Sequence, residues 1–181
     1  MILKMLVEAM MGEVAPIFED LSGVDGKIYS TSSFSGKQFL VLVFFGNGCP
    51  SCKAAEERLI AIQTEYAPKG VQVILINSNN SSLSPPDTIG EMKKRATVVG
   101  YNFPYIKDEK RDFARSMGAI TTPHAFILDP DRRLRYRGRI DNARQKSRVT
   151  VNDVKNALDD LVSRDSITVK ETEPFGCSIV W

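Results

Sequence analysis

Two cysteines, Cys49 and Cys52, stand three residues apart with Pro50 and Ser51 between them. A thiolate attacks the sulfur of a disulfide, and a second thiol within reach closes the bridge behind it. On a helix, residues at this spacing are surface neighbours about 5–6 Å apart, within the span of a disulfide. Cys49 can therefore act as the nucleophile and Cys52 as the resolving thiol. The competing reading is a pair of half-buried structural cysteines. Spacing does not choose between them; the surrounding elements do.

Phe39 to Phe45 is a run of seven apolar residues. It reads as a strand buried on both faces. Gly46-Asn47-Gly48 then turns the chain. From Cys52 onward, Ala55, Leu59, Ile62 and Tyr66 recur at helical spacing and form one apolar stripe. Pro50 suits the first helical turn, where its missing N–H has no intrahelical partner to lose. Cys49 thus falls at a helix N-terminus, where unpaired N–H groups and the macrodipole favour negative charge. Thiols so placed titrate between about 3.5 and 7.5 rather than near 8.5. This strand-to-helix context makes the pair read as redox-active.

The chain has 181 residues, enough for one domain with a sizeable core. Apolar content of 43% and charged content of 25% are ordinary for a globular protein. A formal charge of +2 points to neither a nucleic-acid nor a membrane partner. Three cysteines are too few for a disulfide scaffold, and one is left over. Residues 1–11 are apolar but interrupted by Lys4 and Glu8. They read as an N-terminal arm, a short helix or frayed, and not as a signal peptide. The expected compartment is the reducing cytoplasm, where a C-x-x-C is more often catalytic or metal-binding than structural. A domain over residues 12–163 and a C-terminal tail over 164–181, packed on that domain, complete the expected division.

Asp25-Gly26 predicts a small hairpin. Val71–Ile76, Phe103–Ile106, His124–Leu128 and Leu134–Ile140 read as further strands or extended segments. Helices are expected from Asp87 or Thr88 to Val99, over Glu109–Met117, and over Val151–Val162, the last with Val151, Val154, Leu158, Leu161 and Val162 on one face. The polar stretch Asn77–Asp87 is longer than an ordinary connection and reads as a mobile loop. Strands alternating with helices give an α/β class, a central mixed β-sheet flanked by helices on both faces.

With the cysteine pair at a strand-to-helix junction, Thr121-Thr122-Pro123 before the strand at 124–128 completes a pattern that resembles the thioredoxin-like fold. Gly12-Glu13-Val14-Ala15-Pro16-Ile17-Phe18 resembles the start of the redoxin branch, the AhpC/TSA and TlpA-like proteins. Met92-Lys93-Lys94-Arg95-Ala96, Tyr136-Arg137-Gly138-Arg139-Ile140-Asp141 and the ending Gly176-Cys177-Ser178-Ile179-Val180-Trp181 are similar to the peroxiredoxin-like thioredoxin-fold proteins. The resemblance implies that Pro123 is cis and packs beside the cysteines. It further implies that the backbone of Thr122 binds an extended substrate by strand addition. The implied activity is thiol–disulfide exchange with a disulfide-containing protein or small molecule, recharged by an unidentified thiol reductant, with no cofactor or metal.

The sequence departs from the family in places. Gly48 stands where ordinary thioredoxins carry tryptophan. Val43 stands where they carry the buried aspartate that helps to move the second thiol's proton. Against the peroxiredoxin pattern P-x-x-x-T/S-x-x-C, counted back from Cys52, Cys49 takes the hydroxyl position and Phe45 the proline position. Thiol peroxidase activity is therefore the runner-up, and a redox switch or zinc-binding protein without turnover is a further alternative. Cys177 is either an auxiliary thiol or gate, or a small apolar residue in an anchor formed with Phe175, Ile179 and Trp181. His124 is either packed or the fourth member of a Cys49–Cys52–Cys177–His124 zinc set. Arg135, Arg137 and Arg139 share one face of a strand, as an anion site or as a solvated edge guarded by charge.

Overall fold

A computed structural model describes residues 8–181. β1 (Leu21–Gly23) and β2 (Ile28–Tyr29) form the hairpin around Asp25-Gly26. β3 (Phe39–Phe44) leads into α1 (Pro50–Tyr66), which crosses to β4 (Val71–Asn77), parallel to β3. α2 (Ile89–Val99) crosses to β5 (Tyr105–Lys107), parallel to β4. After α3 (Asp112–Met117) come β6 (Thr121–Thr122), β7 (His124–Leu128) and β8 (Leu134–Gly138), then α4 (Asp153–Arg164) and β9 (Cys177–Ser178). Seven strands make one mixed sheet in the order β2-β1-β5-β4-β3-β7-β8, and β6 pairs with β9 apart from it. No helix among the described residues is long and apolar enough to cross a membrane.

β3 lies inside the sheet, and its alternate residues serve two cores. Phe39, Val41 and Val43 pack with Leu59 and Tyr66 of α1 and Leu158 and Leu161 of α4. Leu40, Leu42 and Phe44 pack with Phe18, Phe126 and, from α3, Phe113 and Met117. Cover on both faces is why this strand carries no polar residue. It also makes β3 a rigid floor from which the cysteine loop rises.

The structure revises several expectations. α4 begins at Asp153 and buries Val154, Ala157, Leu158 and Leu161. Val151 precedes the helix and Val162 lies off the buried stripe, so both stay exposed. β8 stops at Gly138, short of Ile140. The three arginines form neither an open anion site nor a solvated edge. Arg135 pairs with Asp129 and Asp165, Arg137 with Glu171 and Arg139 with Asp153. Residues 1–7 of the expected N-terminal arm lie outside the described residues. Ala9 is buried, donating its N–H to Ser116 and accepting from Arg137 at its carbonyl.

Leu59 holds α1 to the sheet, fully buried in the first core. Leu59→Ala is expected to cost about 2–5 kcal/mol. The check is urea denaturation, with a lower midpoint at an unchanged slope.

Candidate active site

Three backbone features set the position of Cys49. Gly46 ends the strand in a space that admits no side chain: a Cβ there would lie 2.9 Å from Asn79 Nδ2 and 3.2 Å from Thr122 Oγ1. Cys49 is the N-cap of α1 in an extended conformation, and Pro50 opens the first turn. The Cys49 Sγ therefore points back over the helix end and accepts the N–H of Cys52 at 3.4 Å. This is the capping role usually filled by a serine or aspartate oxygen, here performed by sulfur.

Three sulfurs meet at this point. Cys177 Sγ is 2.6 Å from Cys49 Sγ, while Cys52 lies one helical turn below and accepts the N–H of Gly46 at 3.3 Å. The hydrogen bond from the Cys52 thiol does most to lower the Cys49 thiol. With those from Cys177, the Cys52 N–H and Thr122, and against burial, it brings Cys49 down to about 4. Cys52 moves the other way, well above the usual thiol range, because it is wholly buried and donates to Cys49. Burial first, then its bond to Cys49, pushes Cys177 up to about 11. At neutral pH the cluster is thus one thiolate flanked by two thiols. When protonated, Cys49 donates to the Thr122 carbonyl at 3.3 Å.

The Thr122–Pro123 peptide bond is cis, and Thr122 is buried beside the sulfurs. Its buried Oγ1 has no hydrogen-bond partner, and its nearness lowers both Cys49 and Cys52. His124, one residue beyond Pro123, accepts the Ile120 N–H at Nδ1 and packs its ring on Phe126. Burial, then the charge of Arg137, lowers it to about 4, so it is neutral. Among the described residues no group of three or more His, Cys, Asp or Glu is arranged to hold a metal ion. The tail is anchored by Ile179, which is buried, while Phe175 and Trp181 remain substantially exposed.

Sequence reasoning missed the support beneath the cysteine loop. Asp87 is buried at 1% exposure, and both carboxylate oxygens are used. Oδ1 accepts the Asn47 N–H at 2.6 Å and Asn77 Nδ2 at 2.7 Å. Oδ2 accepts Asn79 Nδ2 and the Ser84 hydroxyl. The buried Lys107 ammonium donates to Asn77 Oδ1 and to the carbonyls of Asn79 and Asp87. The two ends of the stretch read as a mobile loop, Asn77–Asn79 and Asp87, therefore form a buried polar brace, while Ser82, Leu83, Pro85 and Pro86 between them stay exposed, and Thr88, not Asp87, caps α2. The density of Asn, Ser and Asp between β4 and α2 was the available signal: such residues solvate a loop or satisfy one another.

Other proteins share this fold. A crystal structure of an uncharacterised conserved protein from Geobacillus kaustophilus superposes with a TM-score of 0.89 at 34% identity, covering 95% of this chain and 92% of that one. The thioredoxin domain of a thiol-disulfide oxidoreductase from Bacteroides vulgatus matches with a TM-score of 0.59 at 18% identity, over 70% of this chain and 86% of that one. The fold is thus thioredoxin-like, with a cysteine pair at the head of its first long helix. Residues 10–158 match the Redoxin family, and the chain belongs to that family. The thiol-disulfide oxidoreductase ResA of Bacillus thuringiensis is 24% identical over 121 residues, which are 67% of this chain and 65% of that protein. The chain thus spans just under two thirds of that relative's length.

Two measurements test the site. A thiol reacts with iodoacetamide only as the thiolate. Alkylation of Cys49, located by mass spectrometry, should rise through pH 4 and then stay level to neutral pH. An inflection above about pH 7 would contradict the one-thiolate cluster. Asp87→Ala strips four donors of a buried acceptor, and about 3 kcal/mol of stability should be lost, read as a fall in the urea midpoint.

Proposed function

We propose that this chain is a thiol–disulfide oxidoreductase, with Cys49 as nucleophile and Cys52 as resolving thiol, acting in the cytoplasm on protein or small-molecule disulfides. One observation carries the reading: the Cys49 sulfur caps α1 and is held ionised there, with Cys52 one turn away. ResA, 24% identical to this chain, bears the name of this activity.

In the first step the Cys49 thiolate attacks one sulfur of the substrate, R–S–S–R′. The S–S bond breaks, R′–S⁻ departs and takes a proton, and Cys49–S–S–R remains. In the second, the Cys52 sulfur attacks the Cys49 sulfur. The Cys49–Cys52 bridge forms and R–S⁻ leaves. Val43, buried and apolar, offers no carboxylate to take the Cys52 proton. The proton therefore passes to the departing R–S⁻, whose basicity in an apolar setting exceeds that of a solvated thiolate. An external dithiol returns the bridge to two thiols. In this scheme the Thr122-Pro123 segment lies beside the reacting sulfurs, and its backbone groups, paired with β9 in this structure, receive a substrate strand that displaces β9.

The arrangement supports exchange over peroxide reduction. The sulfur at the peroxiredoxin position is Cys52, which is fully buried and held protonated. Phe45, at the position of the peroxiredoxin proline, packs in the same core.

The test is reduction of a protein disulfide by dithiothreitol with and without the purified protein. The wild type should turn over many equivalents, and Cys49→Ser should fall to the rate of dithiothreitol alone. Turnover retained by Cys49→Ser would overturn the assignment. Saturable peroxide consumption lost only in Cys52→Ser would put the peroxidase in its place.

A further inference from the structure

The geometry points to Cys177 as a third redox thiol: the tail strand β9 sits on the active-site edge as an internal substrate, and the Cys49–Cys52 bridge interconverts with a Cys49–Cys177 bridge. The inference rests on the exchange reading above and extends it with a route by which electrons enter.

The seat of Cys177 is built from both sides. β9 pairs antiparallel with β6, Thr121 opposite Ser178 and Thr122 opposite Cys177. This is main-chain strand addition to the segment that flanks the cysteines. Just before it, Gly176 passes so close to Thr122 and Pro123 that a Cβ would overlap the Thr122 carbonyl, and its φ of 150° favours glycine. Just after it, Ile179 is buried in the second core. Val180 then donates its N–H to Asn79 Oδ1 at 2.9 Å and accepts from Asn80 N at 2.7 Å. Through Asn79 and Asp87 the brace that fixes the cysteine loop also fixes the tail. A cysteine serving only as apolar filler needs no such register, and this one ends 2.6 Å from the nucleophile.

Access gives the arrangement its use. Cys52 has no exposure and Cys49 only 6%, whereas Cys177 is partly open. Of the three sulfurs it is the most open to an incoming thiol. In the oxidised protein the Cys177 sulfur attacks the sulfur of Cys49. The Cys49–Cys52 bond breaks, its electron pair goes to the Cys52 sulfur, and the proton released by Cys177 ends on Cys52. No outside oxidant is needed, since one disulfide is exchanged for another. A dithiol reductant then attacks Cys177, and Cys49 leaves as the thiolate favoured by the helix end. The reductant's second thiol then attacks the reductant sulfur bound to Cys177, so that this S–S bond breaks, the reductant's own disulfide closes and Cys177 is released as a thiol.

The test uses the full chain. Cys52→Ser, treated with one equivalent of diamide, acid-quenched and blocked with N-ethylmaleimide, should give monomer with an internal Cys49–Cys177 disulfide by peptide mapping. Diamide takes up the two electrons as its hydrazine. Wild type held in a dithiothreitol redox buffer should show both bridges. Gly176→Ala, which unseats the tail without touching a thiol, should reduce the Cys49–Cys177 share about tenfold. Cys49 and Cys177 both recovered as maleimide adducts, or joined only between molecules, would overturn the inference. If that result came with normal wild-type turnover, the exchange reading would stand alone. An internal Cys49–Cys177 bridge in a wild type without turnover would overturn the exchange reading and support the third thiol as a switch.

Discussion

Where one negative charge can rest among three sulfurs is the constraint on which the site depends. Sulfur is a weak hydrogen-bond acceptor as a thiol and a much better one as a thiolate. Cys49 alone lies where a backbone N–H and two thiols can all donate to it. Burial already raises Cys52 and Cys177, and once Cys49 is ionised the same contacts that lower it raise them further. The proposed nucleophile and resolving thiol therefore owe their roles to position, since the three side chains are chemically identical. Any bridge at Cys49 removes that charge, while burial continues to hold the remaining thiol protonated.

Keeping that charge in place requires a rigid surround, and the fold supplies it from two directions. β3, with apolar packing on both faces, fixes where the loop starts. The Asp87 brace fixes where it goes, holding Asn47 through its backbone N–H and Asn79 through its side chain. A carboxylate that accepts four hydrogen bonds tolerates burial, and Lys107 adds a cation that is itself satisfied by three oxygens. The helix end then has a fixed geometry against which a thiolate is stabilised without reorganisation.

The parts of this design that are local in sequence could be read from it. Seven apolar residues, a turn rich in glycine and a helical stripe place Cys49 and Cys52 correctly, because each signal spans less than a helix length. The span of α2 up to Val99 and the Asp25-Gly26 hairpin were legible for the same reason. The brace was not. Asn47 meets Asp87 across 40 residues, and a polar residue buried by another polar residue looks, in one dimension, like a solvated one. Arg135, Arg137 and Arg139 misled in the same way, since most of their partners, Asp153, Asp165 and Glu171, come later in the chain. Cys177 is separated from Cys49 by 128 residues, and tail length permits that contact without requiring it. What singles it out is the register of β9, a property of pairing that composition does not carry.

That register has a further physical consequence. The pairing edge of β6 offers one set of backbone groups, and a set that bonds Cys177 and Ser178 cannot at the same time bond an extended substrate. On the proposed function a protein substrate must therefore exchange places with the tail, whereas a small thiol or disulfide need only reach the partly open Cys177 sulfur. The two-residue strand is short, so its own pairing is weak, and its hold comes mostly from Ile179 and the Val180 hydrogen bonds beyond it. Strand exchange can thus begin at Cys177 while the end of the tail stays anchored, which keeps the third thiol near the site at high effective concentration after it has been displaced.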